Sequence, residues 1–108
     1  FHVIEVDKRY TVRVAKTAGR FPWHHHPHGD EGWFVFEGRL RIDTEAGPVE
    51  LECGDFATIP RGMRHSPEAL IPNTIVIIFN LRELGMVLDD PKVDLGGFNE
   101  MDITHARG

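Results

Sequence analysis

The stretch Trp23-His24-His25-His26-Pro27-His28-Gly29-Asp30-Glu31 gathers imidazoles and carboxylates at spacings that suit metal chemistry. In an extended chain, residues two apart face the same way, so His24 and His26 converge on one point and His25 faces away. Residues 27–30 supply a turn, after which Glu31 opens a new strand with its carboxylate able to reach back. Further on, Gly54-x5-Pro60-x-Gly62-x2-His65 carries the punctuation of a strand, a tight turn and a returning strand, which offers His65 as a fourth ligand. Neutral imidazoles with one carboxylate suit a divalent transition metal (Fe, Mn, Ni, Zn or Cu) better than calcium or magnesium. Around an octahedral ion such a set leaves positions open for substrate, water or dioxygen.

The elements that must hold these side chains read as short strands. Gly and Pro punctuate candidates at 2–6, 10–16, 21–26, 31–37, 39–43, 48–52, 56–59, 65–69 and 74–79, with no useful helical period among them. Arg39-Leu40-Arg41-Ile42-Asp43 alternates as a strand with one wet face should, sending Leu40 and Ile42 to a core. The fold class is therefore all-β, a sandwich or closed barrel over residues 1–80. Residues 81–108 read as an arm, helical or irregular over 81–88, that packs on the barrel or on a neighbouring subunit.

The 108 residues suffice for one domain. Seventeen acidic residues against twelve basic give a net charge of -5, and no Lys/Arg stripe is present to neutralise phosphates, which argues against nucleic acid. The apolar run at 75–79 is too short to cross a bilayer, and the start resembles no signal peptide. A single cysteine, Cys53, allows no internal disulfide and suits a reducing, cytoplasmic setting; it reads as structural.

The two separated patterns also carry a family resemblance. His24-x-His26-x4-Glu31-x6-Gly38, preceded by Gly19, resembles the first cupin motif, and Gly54 through His65 resembles the second. There are two departures: four residues separate Gly19 from His24 where the family usually allows five, and Ala69 stands where an asparagine is common. Neither removes a ligand. The resemblance covers about residues 10–79 and implies a cupin β-barrel (a double-stranded β-helix or jelly roll), commonly dimeric, with one metal in its mouth held by His24, His26, Glu31 and His65. Small single-domain cupins of this kind are often likened to sugar-phosphate isomerases.

Several residues have both a functional and an ordinary reading. Trp33 and Val35 share the parity of Glu31 and should face inward, to line a substrate pocket or to fill the core. Phe34 and Phe36 then face out, and covering them is a physical reason to expect a homodimer. Arg61 and Arg64 flank the second pattern and could grip a substrate carboxylate or phosphate, or be solvated turn residues. His28 and Tyr10 are candidate acid-base groups, although a surface position is favoured for His28 because Pro27 breaks the strand before it. His2 and His105 read as surface residues.

A divalent ion with three neutral histidines and one carboxylate favours a small, anionic or chelating ligand. With Fe(II), weakly favoured, the expected activity is a non-heme dioxygenase. A redox-neutral isomerase, cyclase, decarboxylase or lyase, or a non-catalytic binding module, are the alternatives.

Overall fold

The computed structural model describes residues 10–81 and 83–92. Nine strands are present among the described residues, in chain order: β1 (Tyr10–Thr17), β2 (His24–His25), β3 (Glu31–Glu37), β4 (Arg39–Thr44), β5 (Gly47–Glu52), β6 (Phe56–Ile59), β7 (His65–Ala69), β8 (Thr74–Leu81) and β9 (Val87–Leu88). They form two antiparallel sheets, ordered β1-β8-β3-β6 and β5-β4-β7-β2-β9. Ala15, Trp33, Val35, Ile59, Val76 and Ile78 from the first meet Leu40, Ile42 and Leu51 from the second in one buried cluster. The sheets therefore close face to face on a single core, as expected of a double-stranded β-helix. The alternation that aims Leu40 and Ile42 inward on β4 recurs on β8, where Val76 and Ile78 are buried.

Most strands fall where the turn chemistry placed them. The candidate strand at 2–6 lies outside the described residues. The candidate at 21–26 shrinks to His24–His25. Pro22 and Pro27 bracket that piece, and neither can donate to a ladder. The backbone beside it is bonded irregularly instead, with the Phe21 amide donating to the Pro67 carbonyl at 2.9 Å. Of the two readings of residues 81–88, the helix is not found: β8 runs on to Leu81, residues 84–86 are irregular, and β9 adds to the edge of β2. No helix among the described residues is long and apolar enough to cross a membrane.

Gly38 makes the corner between β3 and β4. Its φ is +96°, and a Cβ there would lie 2.5 Å from Thr74 Oγ1 and 2.8 Å from the Thr74 backbone, so only glycine fits. That corner delivers the chain from the sheet that carries Glu31 to the one that carries His65.

Candidate metal centre

Four buried side chains converge between the sheets. β2 supplies His24, the turn after it supplies His26, β3 starts with Glu31, and β7 starts with His65. His24 and His65 are direct cross-strand partners, with ring centroids 4.3 Å apart. All four residues are buried, and one ligand atom from each lies within 4.8 Å of every other. Donors on opposite sides of an ion at about 2.1 Å would stand about 4.2 Å apart, so closing on an ion requires each to move by only a few tenths of an ångström.

The three rings are held alike. Nδ1 of His24 is 2.8 Å from the Pro22 carbonyl, Nδ1 of His26 is 2.7 Å from the Gly85 carbonyl, and Nδ1 of His65 is 2.8 Å from the Met63 carbonyl. A carbonyl oxygen can only accept, so each Nδ1 carries a proton and each ring, when neutral, presents the Nε2 lone pair to the centre. This is the tautomer a metal needs, fixed by backbone groups behind the ligands. Nε2 of His26 is buried without a hydrogen bond of its own. An orphaned buried acceptor aimed at two other imidazoles and a carboxylate fits a cation as its missing partner.

Glu31 is oriented with equal care. Its Oε1 accepts the indole N–H of Trp33 at 2.8 Å and lies 3.3 Å from Nε2 of both His26 and His65. Its Oε2 is 3.7 Å from the Arg13 guanidinium. Burial works against the ionised carboxyl, but His26 and His65 outweigh it and hold Glu31 well below the usual carboxylate range. Burial, with the neighbouring His65, pushes His24 down to about 4 and keeps it neutral. His26 is also opposed by burial, but the Glu31 carboxylate beside it raises its pKa.

Other sequence candidates fall in different places. Trp33 and Val35 face inward within the core cluster, and Trp33 also fixes Glu31. His25, half-buried, pairs with Val87 on the edge of the sheet. Tyr10, His28 and Arg61 line an open groove of about 750 Å³ that none of the four candidate ligands lines, together with Phe56, Phe79 and Asn80. Arg64 points elsewhere, donating to Asp89 at 2.9 Å with its guanidinium 5.9 Å from the Trp23 ring. Cys53 is exposed, and its thiol donates to the Phe36 carbonyl.

Arg13 and the backbone carbonyls of Pro22, Met63 and Gly85 were not among the sequence candidates. Arg13 shares the inward parity of Thr11 and Ala15 on β1, so a cation on the core-facing side was a readable signal. Gly85, whose carbonyl orients His26, gave none, because a backbone acceptor has no side-chain signature.

The cupin domain family matches residues 10–78, and the chain belongs to that family. The uncharacterized protein YdbB of Bacillus subtilis (strain 168) is 36% identical over 72 residues, 66% of this chain, which in turn spans 63% of that protein's length. The crystal structure of a cupin-2 domain protein from Shewanella frigidimarina superposes with a TM-score of 0.63 at 32% identity, covering 73% of this chain and 76% of that one. DMSP lyase DddQ from Ruegeria pomeroyi has a TM-score of 0.65 over 82% of this chain and 47% of its own; at 23% identity it shows the fold alone.

Proposed function

We propose that His24, His26, Glu31 and His65 hold one divalent transition metal ion, and that the chain is a small-molecule oxygenase using Fe(II). The observation that carries this reading is the set of three imidazoles, each with Nδ1–H committed to a backbone carbonyl, facing one buried carboxylate. Iron bound there would bring a chelating substrate and dioxygen together. The chain's own part is to keep His24 neutral, Glu31 ionised and the surroundings closed by Trp33 and the core. Arg13, about one-fifth exposed and 3.7 Å from Glu31, adds a positive charge beside the four residues, which supports a small carboxylate or other oxyanion as ligand.

The test is anaerobic reconstitution with Fe(II), followed by oxygen uptake against keto acids, diketones and phenolic acids. Uptake with one class supports the reading. A silent iron form beside a zinc or manganese form that turns over a sugar phosphate or keto acid replaces it with the redox-neutral alternative. Ligands that only raise the melting temperature point to a binding module. The metal found after purification does not decide the matter, because copper, nickel and zinc outcompete iron for such ligands.

The same proposal includes a homodimer and a cytoplasmic location, the latter supported by the free, exposed Cys53 thiol. The outer face of the β1-β8-β3-β6 sheet brings Val12, Phe79 and Gly32 into one row and Val14, Ile77, Phe34 and Phe56 into the next. Phe56 and Phe79 are 55% and 39% exposed, a cost that a second copy laid on this face would remove.

A further inference from the structure

The segment 84–89 lies beyond the part of the chain that matches the cupin family. It nevertheless touches the loop that carries two of the three histidines at every turn. Working along it, the Leu84 carbonyl accepts the His28 amide at 3.2 Å, the Gly85 carbonyl accepts His26 Nδ1–H at 2.7 Å, β9 pairs with His24 and His25, and the Asp89 amide donates to the Trp23 carbonyl at 2.9 Å. The Asp89 carboxylate then ties to Arg64 at 2.9 Å, one residue before His65. Residues 23–28 are short of ladder partners of their own, since β2 meets β7 at a single pair, His24 and His65.

Gly85 is the tightest point. Its φ is +71°, and a Cβ would lie 2.9 Å from His28 Cδ2 and 3.2 Å from the Pro27 ring. Both the left-handed backbone and the lack of room demand glycine, and together they put the Gly85 carbonyl against the His26 ring.

We infer that residues 84–89 are a strap that positions His24 and His26 for the metal, with Gly85 as the positioning residue for His26, so that the strap sets how long the ion is held. The inference rests on the four-ligand reading above. It follows from general behaviour of metal sites, in which losing the group behind a ligating histidine costs about 10–100-fold in affinity.

The test uses the whole chain loaded with Co(II), whose d–d absorption reports ligand geometry, and follows metal loss to excess chelator. Gly85→Ala should release cobalt about 10-fold faster or more and should shift the d–d bands. Gly54→Ala is the matched control: its φ is +92° with nothing within 4 Å of the added Cβ, at the far end of β3 from Glu31. It should lower the melting temperature yet leave release rate and spectrum unchanged. Should Gly85→Ala fail to fold, Asp89→Ala removes only the side-chain tie to Arg64 and should speed release several-fold. Wild-type release and spectrum in the Gly85 variant, or wild-type release in the Asp89 variant if that one must serve, overturn the strap while leaving the metal reading intact. A wild-type chain that takes up no cobalt sinks both.

Discussion

At the scale of single residues, the centre works by opposing burial with specific partners. His24 stays neutral down to about 4, while Glu31 raises the His26 pKa above the ordinary imidazole value of 6.5. An entering ion must displace any proton on the His26 Nε2. Below the raised His26 value metal binding therefore releases a proton and strengthens as pH rises, and above it the dependence flattens. Metal affinity measured from pH 5.5 upward by competition with a chelator of known proton affinity should show this rise and plateau; an affinity that falls with pH over that range would contradict it. Trp33 offers a second check. Trp33→Phe removes the indole donor to a buried carboxylate oxygen, and hydrogen bonds to charged groups contribute about 1.5–3 kcal/mol. The variant should lose stability of that order in urea titration of the metal-free protein, and a loss under about 0.5 kcal/mol would show that the bond does little. His24, His26, Glu31 and His65 were legible because strand parity and turn residues fix where side chains point. Arg13 was legible in principle and missed, because a lone arginine in an apolar-facing row resembles a surface residue until the row is known to face inward.

At the scale of elements, the strands were readable wherever glycine or proline bounded an alternating run, as in β3 to β7. The failures have one cause. A two-residue strand such as β2 or β9 has no period, and what defines it is a partner far along the chain, with His25 opposite Val87. The corner at Gly38 is the element-scale feature that is most exacting. Alanine there combines a left-handed backbone, costing about 1–3 kcal/mol, with overlap against the Thr74 backbone that cannot rotate away. Gly38→Ala should lower the stability by at least that strain cost. Chemical denaturation reads it directly, and a variant as stable as wild type would show that β3 and β4 can part from β8 freely.

At the scale of the whole molecule, two faces of one sheet differ in what they carry. The inner face carries Glu31, Trp33 and Val35, and the outer face carries Phe34 and Phe36 on the same strand, of which Phe36 is 52% exposed. If that outer face is the proposed dimer contact, it should bury on the order of 2,000 Å², and Phe34→Asp should shift sedimentation from dimer to monomer at micromolar concentration. Wild type sedimenting only as a monomer would remove the dimer. The central claim is about the inner face, where four residues from three strands and a loop act as one site. It is tested most directly by metal content per chain, measured by elemental analysis on protein prepared without metal-affinity resin, stripped, and refilled with one added divalent metal. Wild type and His25→Ala should each hold one ion per chain, and His65→Ala should hold essentially none. Equal metal in wild type and His65→Ala, prepared in parallel, would contradict the account.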